Sequence, residues 1–243
     1  MAKTENKKGD YGIDAPGVIR NLTLSGIVLL LLGMGGFFGL SGALRWIGAV
    51  FLLFGLFCLL EAVYMVWSSK VGKYYEREKL LDLLPWRGDE KVLDVGCGRG
   101  LVLNAAAKRL DRGKAVGIDI WNERDQSGNH PDVTLDNAEK EGVRERVEVV
   151  SADARHIPFA DNEFDVVVSS LAIHNIYDKG ERRKALGEII RVLKPGGHFA
   201  ILDFQHVDEY AAVFKELGAT GVQIVGPHYY IFPPVRIVVG RKP

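Results

Sequence analysis

Two stretches near the start of the chain show almost no alternation of apolar and polar positions. Residues 22–40 (LTLSGIVLLLLGMGGFFGL) run 19 positions without a charge, and residues 47–67 (IGAVFLLFGLFCLLEAVYMVW) run 21 with Glu61 as the one charged side chain. At about 1.5 Å of rise per helical residue, each nearly spans or exceeds a hydrocarbon layer of roughly 30 Å. A helix resting on a soluble core carries a polar stripe at the 3.6-residue period, and neither stretch has one. The pattern predicts a transmembrane helical hairpin over residues 21–67, turned at the link SGALR and bounded on its second arm by Trp46 and Trp67. A pair of buried core helices is the alternative. For the first arm, a cleaved signal peptide ending near Ser41-Gly42-Ala43 is another.

The flanks orient the hairpin. Lys3, Lys7, Lys8 and Arg20 precede it, Lys70, Lys73, Arg77 and Lys79 follow it, and the link offers Arg45 alone. Positive-inside bias then puts both termini and everything after the hairpin in the cytoplasm. Residues 1–20, polar and broken by Gly9, Gly12, Pro16 and Gly17, read as a disordered arm. Residues 68–86 repeat apolar side chains at helical spacing between charges, so an amphipathic linker helix is expected to continue the second arm until Pro85. Glu61 is open to two readings: pairing with Thr23 or Ser25 across the hairpin, or contact with a proton or headgroup. Gly35-x-x-x-Gly39 offers a close approach of helices.

From residue 87 the period changes. KVLDV is a short apolar run, GCGRG a glycine-rich turn and LVLNAAAKRL a helix. Strands follow at KAVGIDI, RVEVVSAD, FDVVVSSLAI and HFAILDF, separated by helical segments. The final VQIVGPHYYIFPPVRIVVGRK reads as two strands around a turn. Alternating strands and helices predict a doubly wound α/β domain over residues 87–243 with an antiparallel end.

Composition changes this picture little. With 31 Lys+Arg against 31 Asp+Glu the chain has no basic field to gather phosphate backbones, so nucleic acid is not an expected partner. Cys58 and Cys97 provide neither a disulfide framework nor metal-ligand spacing, and no metal is expected.

The glycine turn reads Asp94-x-Gly96-x-Gly98-x-Gly100, one place shorter than the dinucleotide fingerprint. Asp94 would sit badly beside a pyrophosphate and well beside a cationic amino group. Asp119, at the end of the second strand, stands at the spacing where a carboxylate takes ribose hydroxyls. Asp153, at the end of the third, could accept from an adenine amino group. Together VLDVGCGRG, GIDI, SADARHIPFADNEFDVVVSSLAIHNI and RVLKPGGHFAILDF resemble the successive motifs of the class I S-adenosylmethionine-dependent methyltransferases. The resemblance covers about residues 80–241. It implies a Rossmann-like seven-stranded sheet in the order 3-2-1-4-5-7-6, with the seventh strand antiparallel, and S-adenosylmethionine as cofactor. It further implies Gly96, Gly98 and Gly100 under the methionine moiety and Asp94 near its polar end. Asp119 would take the ribose, Ile120 would lie against the adenine, and Asp153 with Ala154 would hold the adenine edge. Ser169, Ser170, His174 and Asn175 follow the fourth strand, between cofactor and acceptor. His174 is the candidate base or acceptor-orienting residue, with a purely packing role as the alternative. Trp121 and the long loop after it (WNERDQSGNHPD) suggest a lid, with an inert insertion as the alternative. Tyr74 and Tyr75 are expected to cover the pocket from the linker.

Some chemistries lack their residues. The SSLAIHN segment is not the Pro-Pro-aromatic signature of amino-directed nucleic-acid methylation, and no cysteine follows the fourth strand for cytosine chemistry. The expected function is membrane-anchored methyl transfer to a small-molecule or lipid-soluble acceptor, such as a quinone precursor or lipid headgroup. A non-catalytic cofactor-binding membrane sensor or assembly subunit is the alternative.

Overall fold

The computed structural model describes residues 8–122 and 126–243. Two long helices come first, α1 (Pro16–Gly39) and α2 (Arg45–Trp67), joined through a single 3-10 turn at Gly42–Leu44. They pack antiparallel because glycines let the backbones touch. A methyl group on Gly48 would lie 2.3 Å from Phe37 N and 2.7 Å from Gly33 O, and one on Gly55 would lie 2.9 Å from Gly26 O. The contact therefore runs through Gly26 and Gly33 on α1 and Gly48 and Gly55 on α2. Gly35 and Gly39 do not take part, since a methyl on either meets nothing within 4 Å. They point away from α2. The outer faces stay apolar and uncovered: the most apolar windows of the two helices are 11% and 17% buried, which argues against core helices of a soluble domain. No hydrogen bond joins Glu61 to Thr23 or Ser25; Thr23 Oγ1 donates to Ile19 O at 2.8 Å.

The second helix does not stop at Trp67. It passes through a π turn, Ser68–Gly72, into α3 (Lys73–Asp82), one helical run of Gly42–Asp82. Such a turn inserts one residue into the hydrogen-bond ladder and re-aims the side chains beyond it. Here Ser68, Ser69 and Lys73 turn inward and are buried. The chain has left helical form before Pro85, earlier than the expected end at residue 86.

Ahead of α1, residues 8–15 are not the loose arm expected for residues 1–20. They lie along the later domain, and α1 already begins at Pro16. Gly9 N donates to Glu141 Oε1 at 2.8 Å, Asp10 N to Asn137 Oδ1 at 2.9 Å, and Tyr11 is 1% exposed. Residues 1–7 of that expectation fall outside the described residues.

The domain is a seven-stranded sheet in the order β3-β2-β1-β4-β5-β7-β6, as the resemblance implied. Its strands are β1 (Lys91–Val95), β2 (Lys114–Asp119), β3 (Val147–Ser151), β4 (Phe164–Ser170), β5 (Leu193–Asp203), β6 (Thr220–His228) and β7 (Val235–Arg241). β1 to β5 pair in parallel, and β7 is antiparallel to both β5 and β6. Helices α4 (Leu101–Lys108) and α5 (Pro131–Lys140) pack with α3 on one face; α6 (Lys179–Val192) and α7 (Val207–Glu216) cover the other. The central strands read as apolar runs because both faces are buried. Lys194-Pro195-Gly196-Gly197 follows α6 as expected, bulging from the start of β5, with the register jumping between Phe164 and Val166. The crossover reverses direction between β1 and β4, and the crevice at the carboxyl ends of those strands is where a doubly wound sheet takes its ligand.

Candidate active site

β1 ends in that crevice with Asp94, Val95 and the glycine turn. Gly96 N and Cys97 N donate to Ile118 O at 2.8 and 3.0 Å, folding the turn back over β2. Gly96 has φ +73°, and a methyl there would lie 2.2 Å from Ala172 Cβ, so the turn and the segment after β4 can close only on bare backbone. Gly100 instead serves α4. Its left-handed φ of +84° starts the helix, a methyl on it would meet Thr134 and Asn104, and it does not line the cavity described below.

Three acids ring the turn in different states. Asp94 is fully buried and its Oδ2 has no hydrogen-bond partner. Burial, with the charge of Asp119 second, pushes its carboxyl up to about 8. Asp119 Oδ2 accepts from Gly98 N at 2.9 Å, and its Oδ1 accepts from Trp121 N at 2.6 Å and from Asn129 Nδ2 at 3.2 Å. Asp153 is held by Arg155, whose Nε lies 2.9 Å from Oδ1; hydrogen bonding to that guanidinium keeps its carboxyl below the usual range. Cys97, buried beside Asp94, has its thiol pushed well up by burial, which favours the neutral form.

A cavity of about 520 Å³ opens over these groups. Asp94, Gly96, Gly98, Asp119 and Ile120 line one end, Asp153 and Ala154 its flank, and Ser170, His174 and Asn175 the other side of the crevice. The sequence-predicted residues Tyr74, Tyr75 and Trp121 do not reach it. Tyr74 packs on Tyr11 and Tyr75 stacks on Tyr230, because the face of α3 that carries them turns outward from the crevice. The Trp121 indole folds back to donate to Ser151 Oγ at 2.7 Å. Residues 123–125 of the expected lid lie outside the described residues.

The lining fits an adenosyl sulfonium cofactor. An unpartnered buried carboxyl oxygen, Asp94 Oδ2, awaits a donor, and a second orphan acceptor, Asn129 Oδ1, stands near the ribose acid. Ile120 is 64% exposed on the cavity wall, an apolar surface waiting for a flat ring. Among the described residues, no group of three or more His, Cys, Asp and Glu side chains is placed to hold a metal ion.

His174 sits in a 3-10 turn after β4, and β5 ends opposite it at Asp203. His174 Nδ1 lies 2.8 Å from Asp203 Oδ1, off the line of a well-formed hydrogen bond. Asp203 is fully buried and also accepts from His174 N at 3.1 Å, Phe204 N at 2.9 Å and the Tyr210 hydroxyl at 3.2 Å. Burial and the Asp203 charge push the Tyr210 phenol up, so it stays a donor. With a proton on Nδ1 facing Asp203, Nε2 is left as the basic nitrogen.

Sequence reasoning missed Asp203, whose signal was an acid closing an otherwise apolar strand. It also missed the wall brought by distant segments. Asp14, Lys73 and Gln126 line the cavity, and Lys73 Nζ reaches Asp14 Oδ1 at 3.1 Å and Tyr11 O at 2.7 Å. Gln126 Nε2 donates to Asp14 Oδ1 at 3.2 Å and its Oε1 accepts from Arg99 N at 2.9 Å.

Residues 93–201 match the family model described as a methyltransferase domain. The match marks residues 93–201 as a methyltransferase domain. Its relatives include the ubiquinone/menaquinone biosynthesis C-methyltransferase UbiE of Roseobacter denitrificans, 34% identical over 54% of this chain and 49% of that one. The demethylmenaquinone methyltransferase of Bacteroides fragilis is 30% identical over 59% of this chain and 54% of that one. The chain thus spans about half the length of these curated relatives. Among solved structures, an S-adenosylmethionine-dependent methyltransferase from Aquifex aeolicus superposes with a TM-score of 0.53 at 23% identity, covering 68% of this chain and 88% of that one. Geranyl diphosphate C-methyltransferase from Streptomyces coelicolor, solved with S-adenosyl-L-homocysteine, gives 0.57 at 16% identity, covering 70% and 79%. These two likenesses are of fold.

Proposed function

We propose that the protein is a membrane-anchored methyltransferase acting on a small, lipid-soluble acceptor of quinone-precursor type, its domain held at the cytoplasmic face by the α1–α2 hairpin. One observation carries the reading. The cavity lined by the glycine turn, Asp94 and His174 is also lined by Val18 of α1 and Met65 of α2, at the feet of the two apolar helices. The exposed apolar flanks of those helices support a bilayer around them, and the basic residues at their feet support a cytoplasmic domain. The names of the UbiE and demethylmenaquinone relatives support a quinone-like acceptor.

Within this reading the chain's residues divide the work. Asp94, in its ionised form, pairs with the cofactor's ammonium group. Asp119 takes the ribose, Ile120 packs on the adenine, and Asp153 with Ala154 meets its edge. The bound cofactor supplies an electrophilic methyl group, so the protein aligns the acceptor and excludes water. His174, oriented by Asp203, removes the proton from an acceptor atom that arrives protonated, and Asn175 beside it orients the acceptor.

The test is incubation of the detergent-solubilised protein with methyl-labelled S-adenosylmethionine and an extract of its own membranes. Label in the organic phase is the expected result. Tight cofactor binding with no label in any acceptor would overturn catalysis in favour of a sensor role, and label confined to the aqueous phase would overturn the lipid-soluble acceptor.

A further inference from the structure

Six apolar residues at one end of the cavity lining come together: Val18, Met65, Phe204, Ile231, Phe232 and Pro233. They come from four separate places: the first turns of α1, the last turns of α2, the end of β5 and the β6–β7 turn. The turn is fastened to the helix foot rather than merely near it. Phe232 N donates to Ser68 Oγ at 3.2 Å, and the Tyr64 hydroxyl donates to Tyr229 O. Phe232 packs on Tyr64 at 5.5 Å, and Tyr230 lies 6.2 Å from Trp67 and 5.2 Å from Tyr75 between ring centres. Gly72 makes this seat possible, because a methyl on it would fall 1.6 Å from Tyr230 O.

That arrangement joins two features that a soluble enzyme keeps apart. The aromatic side chains Trp67, Tyr75, Tyr229 and Tyr230 are each 39% exposed or more and ring the foot of an apolar helix, the level at which such side chains meet a headgroup layer. Directly inside them Met65 and Ile231 are 7% and 6% exposed, with Val18 at 49% on the neighbouring foot. Residues 10–14 lie beside the glycine turn, where Arg99, Ser127 and Lys73 hold them.

Resting on the membrane reading above, we propose that this apolar end is a binding site for the hydrocarbon chain of a bilayer-resident amphiphile. The acceptor enters head first between the feet of α1 and α2 and the β6–β7 turn. Its polar head reaches His174 and Asn175, the first chain carbons lie among the six residues, and the rest of the chain stays in the bilayer. A head without a chain forfeits the apolar contacts and is not concentrated in the bilayer beside the entrance. The site therefore selects acceptors by the presence of a chain and not by the head alone.

The experiment uses the full chain in lipid nanodiscs and 4-hexadecylphenol carrying a diazirine on the chain carbon nearest the ring. Light-driven labelling is expected at Val18, Met65 or residues 231–233, competed by excess unmodified 4-hexadecylphenol and not by phenol. M65W, which fills the entrance, should lower that labelling at least fivefold while cofactor affinity stays within twofold; V18F serves if M65W fails to fold. Labelling confined to outward residues such as Leu53 and Phe57, or equal competition by phenol, would overturn the site. The two readings fail separately. Labelling at the site without methyl transfer to any lipid removes the enzyme and keeps the site. Methyl transfer to a water-soluble acceptor without site labelling does the reverse.

Discussion

Lys73 Nζ, 4% exposed, stands 3.1 Å from Asp14 Oδ1, and through that pair the start of α3 holds the segment that leads into α1. Burial lowers the lysine's pKa, with Asp14 as the chief opposing influence. Removing the acid leaves a buried ammonium facing the carbonyls of Tyr11 and Gly12 alone. D14A is therefore expected to destabilise the fold by about 1–3 kcal/mol and to loosen residues 9–14 from the domain. Thermal unfolding and limited proteolysis ahead of Pro16 would check it; unchanged cleavage there would show that the remaining hydrogen bonds suffice.

Asp94 sets a pH dependence with a definite sign. Its carboxyl titrates near 8 in the free protein against a usual value of 3.8. Its contribution to stability is therefore full below the usual value and is lost as pH rises towards 8. Cofactor binding runs the other way. A cationic amino group beside Asp94 favours the ionised form, so binding expels a proton, and affinity should rise with pH up to about 8, by at most about tenfold per unit. Calorimetry in buffers of different ionisation enthalpy reads the proton directly. D94N should remove the proton release and weaken binding at pH 8.

His174 and Asp203 should act as one unit. If Nε2 takes a proton from the acceptor, H174Q should lower kcat by about 10²–10⁴-fold with cofactor affinity unchanged. D203N leaves the shape of β5 but turns the imidazole's partner neutral, so kcat should fall with KM little changed. A histidine that only packs on Phe204, 4.5 Å away between ring centres, would leave kcat unchanged in D203N.

The hairpin makes a prediction within one helix. G33V should push α1 away from Leu52 and Gly48, an overpacking cost of about 1–3 kcal/mol, because a methyl at Gly33 already falls 2.8 Å from Leu52 N. G35V, with open space around it, should be silent. Disulfide trapping between cysteines placed across the two helices distinguishes them.

These four cases also mark where sequence reading reached and where it stopped. The sheet was legible because its strands are buried on both faces and because glycine turn, Asp119 and Asp153 fall at strand ends in order. The segment at residues 8–15 was not, because its order comes from Asn137, Glu141, Ser127 and Ser69, partners far away along the chain. The hairpin glycines were misjudged for a related reason. Composition supplies many, and only the register between two helices selects Gly33 over Gly35. Tyr74 and Tyr75 lie on a helix expected beside the pocket, yet the π turn at Ser68–Gly72 fixes which face of α3 looks inward. One inserted residue exchanged the expected tyrosines for Lys73.

The same unbroken run from Gly42 to Asp82 has a mechanical side. A domain on a flexible leash samples every tilt, and its entrance meets the surface only part of the time. Here the second helix of the hairpin continues into α3 as a spar of the domain, so pitch and roll of the domain are set together with the hairpin. Under the membrane anchoring proposed above, the search for an acceptor would become two-dimensional: the entrance would already stand level with the headgroups, and encounter would depend on planar diffusion instead of reorientation.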